Sequence, residues 1–183
     1  IPLVVIECKD EDVAEPMSEA FSQIQRYSNL RVIDDPFADG VEEGCERLFH
    51  TNLFSVITHG IEARCGTISA DFDFYHNWKD IFPEEYADGI NIEPSQRQEI
   101  LIKGMFNHEI LIDIFRNFTL FTQKSGSYVK IICRYQQYRA VGKMINKLQS
   151  GTDWKSRSGV IWHTQGSGKS FTMVFLVRKM RHI

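Results

Sequence analysis

The chain has 183 residues, 43% of them hydrophobic, 25% charged and 12% aromatic, with a formal net charge of −3. Those proportions exclude a collagen-like, coiled-coil, disordered or disulfide-scaffold protein and leave room for one large domain or two small ones. The small net charge conceals a division: residues 1–100 carry 21 acidic against 7 basic side chains and residues 101–183 carry 3 against 14, so the parts stand at −14 and +11. A basic part suits phosphate-bearing partners, while two domains with different surfaces would account for the split equally well.

The longest apolar runs, such as Val4 to Ile6 and Ile110 to Ile112, fall far short of the roughly 20 residues a membrane helix needs, so no membrane association is expected. Cys8, Cys45, Cys65 and Cys133 form no C-x-x-C pair and lie near no His at zinc-ligand spacing. They are expected to be reduced thiols in a cytoplasmic protein. The first residues lack the basic region and cleavage site of a signal peptide and read as a strand whose beginning has been cut away.

In chain order, Leu3-Val-Val-Ile6 is β-branched and apolar and predicts a buried central strand over residues 1–9. From Glu15 to Tyr27 the apolar residues Met17, Ala20, Phe21, Ile24 and Tyr27 recur at helical steps behind Pro16, which suits a first turn. Residues 54–59 and 62–68 predict a hairpin turning at Gly60. Residues 71–98 show no clean period. Residues 99–121 predict one or two helices, with Gly104 a candidate separator. Residues 129–133 could begin a new unit, and Tyr135 to Leu148 reads as a helix. The last stretch predicts a strand at Gly159 to Trp162, a glycine-containing loop from His163 to Ser170, and an amphipathic helix from Phe171 to Ile183.

That loop, His163-Thr-Gln-Gly-Ser-Gly-Lys-Ser170, carries the back half of a phosphate-binding loop, Gly166-x-Gly168-Lys169-Ser170, between an expected strand and an expected helix. Phosphates require several inward backbone N–H donors, which Gly166, Ser167 and Gly168 can supply where glycine permits close approach. Lys169 would reach the β- and γ-phosphates of ATP and Ser170 would hold Mg²⁺. His163 stands where the strict pattern has its first glycine. About thirty residues upstream, Arg134-Tyr-Gln-Gln-Tyr-Arg-Ala-Val141 resembles the adenine-reading Q motif of superfamily 2 helicases, with Gln137 the candidate reader. A surface glutamine on a helix is the simpler alternative.

At the other end of the chain, Glu7 and Lys9 are one step of the two-residue strand period apart and therefore share a face. A carboxylate and an ammonium at a strand end resemble the E-x-K half of PD-(D/E)XK nucleases, in which a carboxylate holds Mg²⁺ and the cation acidifies the attacking water. Glu7 is the candidate metal ligand. Gln23 and Tyr27, four residues apart on one helix face, match the Q-x-x-x-Y that follows E-x-K in RecB-type nucleases.

Taken in order, Val4-Val-Ile-Glu-Cys-Lys9, Gln23-x-x-x-Tyr27, Arg134 to Val141 and Trp162-His-Thr-Gln-Gly-Ser-Gly-Lys-Ser170 resemble the restriction (R) subunit of type I restriction-modification enzymes. Asn52 to Ser69 with Trp78-Lys79 is similar to the region that completes the nuclease sheet there. The resemblance implies an α/β chain in three parts. These are the C-terminal part of a restriction-endonuclease-like nuclease domain at 1–80, a helical linker at 81–128, and the start of a RecA-like P-loop motor lobe at 129–183. It further implies ATP and Mg²⁺ as cofactors, and double-stranded DNA with methylase and specificity subunits as partners. The function implied is ATP-driven translocation of DNA and cutting of unmethylated DNA at a distance from the recognition site.

The resemblance also places a metal-binding Asp before Ile1 and an Asp-Glu ATPase box after Ile183, so the chain is expected to be trimmed at both ends and to lack full activity. Two other readings stay open: another nuclease-helicase of the type III or RecB-like kind, and a non-catalytic nucleotide- or DNA-binding module.

Overall fold

The computed structural model describes residues 1–30, 43–84, 97–124 and 126–182. They form a mixed α/β arrangement of two small sheets and six α-helices. β1 (Val4–Lys9), α1 (Pro16–Tyr27), β2 (Phe54–His59) and β3 (Glu62–Gly66) make the first part. α2 (Arg97–Met105) and α3 (His108–Asn117) follow, then the hairpin β4 (Thr119–Lys124) and β5 (Ser127–Ile132). α4 (Tyr135–Ser150), the short α5 (Trp154–Arg157) and α6 (Lys169–Met180) complete the described chain.

The first sheet has the order β1-β2-β3. β1 pairs with β2 in parallel, Glu7 beside Ile57 and Lys9 beside His59, and β2 pairs with β3 antiparallel across the Gly60 turn. Parallel strands cannot be joined by a tight turn, so α1 lies in the crossover between them. Alternation along the strands divides two cores. Val5 and Ile57 meet Met17, Ala20 and Ile24 of α1, while Val4, Phe54 and Val56 meet the larger core formed with α2, α3, α4 and α6. Burying a side chain such as Ile24, fully inaccessible here, is worth about 1.5–3 kcal/mol.

β1 was expected to be a buried central strand. Among the described residues it is an edge strand with β2 as its one neighbour, and Ile6 is half exposed. β2, flanked on both sides, is the central strand, and its burial on both faces follows from that position.

The larger core ties the middle of the chain to its end. Phe118, at the end of α3, packs against Tyr138 of α4 (ring centroids 4.8 Å apart) and Phe175 of α6 (5.4 Å). Trp78 and Phe82 close on the same Tyr138 ring. Polar ties surround this centre. The Tyr138 hydroxyl donates to Asp113 Oδ2 at 3.0 Å, Lys179 pairs with the same carboxylate, Arg139 reaches Asp80 at 2.6 Å, and Arg178 donates to the Arg116 and Thr119 carbonyls.

Two sequence expectations differ from the structure here. The expected run over 99–121 is two helices and then a strand. The break falls at Phe106 and Asn107, where Asn107 caps α3 by accepting from the Glu109 N–H, and not at Gly104. Gly104 instead lies within α2 against Trp78 and the Asp80 carbonyl, with no room for a Cβ. The β4–β5 ladder pairs Tyr128 with Gln123 and Val129 with Thr122. Residues 159–162 are not a strand: Val160 is 94% and Trp162 88% exposed, and no described strand offers them ladder partners. Part of the unpatterned stretch 71–98, residues 85–96, lies outside the described residues, as does the Asp34-Asp35-Pro36 and Asp39-Gly40 break.

Phe118→Ala should destabilise the fold by about 3–5 kcal/mol because it empties the contact between α3, α4 and α6. Phe115→Ala, one turn earlier on the exposed side of α3, should stay within about 0.5 kcal/mol of the parent. Chemical denaturation of the two variants checks the contrast.

Candidate functional site

At the carboxyl end of β1, the face that carries Val5 into the α1 core continues as Glu7 and Lys9. The Lys9 ammonium lies 3.2 Å from Glu7 Oε1, with side-chain exposures of 18% and 15%, and 4.0 Å from Glu19 on α1. Glu19, Gln23 and Tyr27 succeed one another at one-turn spacing on α1. Gln23 is half buried and Tyr27 partly exposed.

Strand register sets His59 beside Lys9 on the same side of the sheet. Its Nδ1 is buried without a hydrogen-bond partner among the described residues, and its Nε2 is 3.9 Å from Glu62. Burial alone would push the Glu62 carboxyl up. Arg64 at 2.8 Å, with Asn77 and Arg97, outweighs that and holds it below its ordinary value.

Mg²⁺ takes six oxygen ligands in near-octahedral array. Glu7 supplies a carboxylate, but among the described residues no group of three or more His, Cys, Asp or Glu side chains is arranged to hold a metal. The residues present therefore form an incomplete cage.

The second cluster is the glycine loop before α6. Gly166 and Gly168 both have φ of +78°, a left-handed conformation that favours glycine. The Ser167 hydroxyl donates to the Thr164 carbonyl at 2.7 Å and tightens the turn. Lys169 opens α6 and folds back over the loop, its ammonium donating to the carbonyls of His163 (2.8 Å) and Thr164 (3.1 Å). Ser170 follows, exposed in the first turn. The helix thus presents its positive end, with the Lys169 ammonium and the exposed Ser170 hydroxyl beside it, where an anion would lie.

Gln137 is buried within α4 and spans the gap to this loop. Its Oε1 accepts from the Arg134 N–H at 2.9 Å, which caps the helix, and its Nε2 donates to the Ser167 (3.2 Å) and Gly168 (3.1 Å) carbonyls. The structure therefore brings Gln137 together with Ser167 and Gly168, thirty residues away. The adenine contact expected of Gln137 would require its amide to give up these bonds, because both its hydrogens are engaged.

Sequence reasoning missed the seam between the first sheet and the hairpin. The Thr67 hydroxyl donates to the Lys130 carbonyl at 2.7 Å and the Lys130 N–H donates to Ser69 Oγ at 2.8 Å, so both main-chain groups of one residue are held by a loop 60 positions earlier. The Lys130 ammonium reaches the Asn52 carbonyl, and burial lowers its pKa. Nearby, burial drives His76 down to about 4 and leaves it neutral beside Cys65, whose thiol burial pushes up to about 12. All four cysteines are free. The Thr67-x-Ser69 pair carries no recognisable motif, and no local signal could have joined it to Lys130.

Two family models match this chain, one at each end. Residues 1–74 match the model of the type I restriction enzyme R protein N terminus, and residues 136–183 match the SWI2/SNF2 ATPase model. The similarity is to the R subunits of type I restriction enzymes. The type I restriction enzyme HindI endonuclease subunit of Haemophilus influenzae is 33% identical across 98% of this chain, which spans 16% of that subunit. Two Methanocaldococcus jannaschii proteins, named as candidate type I endonuclease subunits MjaIXP and MjaVIIIP, are 25% and 29% identical across 98% and 96% of the chain, which spans 17% and 15% of their lengths. No solved structure matches. The resemblance read from the motifs is thereby borne out. Among the described residues no helix is long and apolar enough to cross a membrane.

Two outcomes follow from this geometry. Gly168→Ala should lose about 1–3 kcal/mol, since a Cβ there meets both an unfavourable φ and Gln137 Nε2 at 2.7 Å; denaturant midpoints measure it. His76 binds its proton more weakly when folded than when unfolded, so the stability its neutral ring contributes is complete above pH ~6.5 and is lost as pH falls towards 4. Denaturation between pH 7 and 4 should show a shallower loss in His76→Asn than in the parent.

Proposed function

We propose that this chain is the junction of a type I restriction subunit, in which the C-terminal part of a DNA-cleaving domain (residues 1–80) passes through a linker (81–128) into the start of an ATP-driven translocase lobe (129–183). The observation that carries the reading is the pairing of two chemically distinct clusters on one scaffold. One is a carboxylate–ammonium pair at a strand end beside a helix bearing Gln23 and Tyr27. The other is a glycine loop that opens a helix on Lys169 and Ser170. The match of each end to a different family model supports it.

In the cleaving part, Lys9 pairs with Glu7 at 3.2 Å and orients it, and Gln23 and Tyr27 stand on the helix covering that face to contact DNA and order the site. Glu7 is the residue that would hold Mg²⁺, with further ligands needed from outside the described group; the metal would supply charge neutralisation of the phosphodiester. In the motor part, the backbone of Gly166, Ser167 and Gly168 faces the phosphates of ATP, Lys169 neutralises them, and Ser170 is the hydroxyl that would hold a second Mg²⁺. Gln137 holds the loop in shape from α4. Double-stranded DNA is the substrate, and methylase and specificity subunits, which select the site, are the partners. The setting is cytoplasmic.

In the full-length enzyme assembled with those subunits, Glu7→Ala and Lys9→Ala should abolish DNA cleavage while leaving DNA-stimulated ATP hydrolysis within about twofold of the parent. Lys169→Ala should abolish both. Cleavage that survives Lys9→Ala removes the nuclease assignment, and ATP hydrolysis that survives Lys169→Ala removes the motor assignment.

A further inference from the structure

Strand register places three polar side chains in one row across the first sheet. Lys9 of β1 lies beside His59 of β2, and His59 lies opposite Glu62 of β3. Adjacent strands are about 4.8 Å apart, so each member of the row neighbours the next on the same face. At one end Lys9 pairs with Glu7, and at the other Arg64 and Arg97 hold Glu62.

The two carboxylate oxygens of Glu62 divide their partners. Oε1 takes Arg64 at 2.8 Å and Arg97 at 3.5 Å, while Oε2 faces His59 Nε2 at 3.9 Å. The imidazole is thus flanked on the β3 side by a carboxylate that is itself anchored twice. Its other nitrogen, Nδ1, is buried without a partner among the described residues, and a buried polar atom left over in a native fold calls for an explanation. One strand away, the Lys9 ammonium has three N–H donors and faces two carboxylates, Glu7 and Glu19. A donor in excess of its carboxylates and an acceptor without a donor therefore stand next to each other in the row.

We propose that His59 is a positioning residue of the cleavage site: when DNA occupies the site, His59 Nδ1 accepts an N–H of Lys9 and fixes the ammonium against Glu7. This rests on the cleavage reading of Glu7 and Lys9 given above. Glu62 acts from the far side, because a carboxylate facing Nε2 favours the proton there and leaves Nδ1 bare as an acceptor. A lysine side chain has much rotamer freedom, and without the third contact the ammonium is free to turn from Glu7 towards Glu19.

The test uses the full-length enzyme assembled with its methylase and specificity subunits, and substitutions that separate the two ring nitrogens. Asparagine Oδ1 reaches the place of Nδ1, whereas the amide of glutamine reaches that of Nε2. His59→Ala and His59→Gln should each slow cleavage at saturating DNA about tenfold, with the half-saturating DNA concentration and DNA-stimulated ATP hydrolysis within about twofold of the parent. His59→Asn should restore cleavage to within about threefold of the parent. If His59→Ala loses ATP hydrolysis as well, the comparison of His59→Asn with His59→Gln decides. Parent-like cleavage by His59→Ala, or cleavage by His59→Gln as fast as by His59→Asn, overturns the assignment of His59 while Lys9→Ala still abolishes cutting. If Lys9→Ala leaves cleavage intact, the cleavage reading itself falls and the role of His59 falls with it.

Discussion

Tyr138 is the side chain on which the rest of this structure hangs. Its ring is enclosed by Phe118, Trp78 and Phe82, drawn respectively from the end of α3 and from the segment after the first sheet, and its hydroxyl donates to Asp113. Burial, reinforced by the Asp113 carboxylate, keeps the phenol protonated and so able to donate. A buried ring with a satisfied hydroxyl combines a large apolar contribution with a directional one. It therefore sets the azimuth of α4 as well as its depth. The neighbouring residue on that helix is Gln137, and only with α4 so rotated does its amide reach the Ser167 and Gly168 carbonyls.

From this anchor the two candidate sites differ in how they are held. The Glu7–Lys9 pair depends on strand alternation: with Val5 packed partly buried against α1, the next two residues of the same parity emerge on that face. The glycine loop depends on long-range contacts, since Gln137 and the left-handed glycines set its shape while residues 159–162 before it have no ladder. The charge division of the chain also acquires a local meaning. In the acidic part the cations gather on a few carboxylates, Arg64 and Arg97 on Glu62 and Lys9 on Glu7, and most of its negative charge stays uncompensated. In the basic part Lys179 and Arg139 pair with Asp113 and Asp80, while Lys169 on the loop donates to the His163 and Thr164 carbonyls.

Much of the local structure was legible. The period of Met17, Ala20 and Ile24 specifies α1, the Gly60 turn specifies the β2–β3 hairpin, and the Gly-x-Gly-Lys-Ser string specifies a loop entering a helix. The failures share one cause. Ile6 reads as buried because it is β-branched and apolar, and Val160 to Trp162 reads as a strand for the same reason. Whether such a segment is buried or paired depends on a neighbour that propensity does not contain. The run through 99–121 misled because Thr119 to Phe121 belongs to a ladder whose other strand lies across a turn, and pairing overrode the helical period.

The amino-acid sequence by itself determined the chemistry available: a carboxylate and an ammonium at a two-residue step, Gln23 and Tyr27 one helical turn apart, and glycines ahead of Lys169 and Ser170. These are short-range facts, decided by backbone geometry within a few residues. Only the tertiary structure decided that Gln137 braces the glycine loop, that Thr67 and Ser69 grip Lys130, and that His59 stands beside Lys9. Each of those joins residues tens of positions apart through side-chain hydrogen bonds or strand register. Such contacts depend on the two cores, because the entropy lost in bringing distant segments together is offset by burial and not by any local preference.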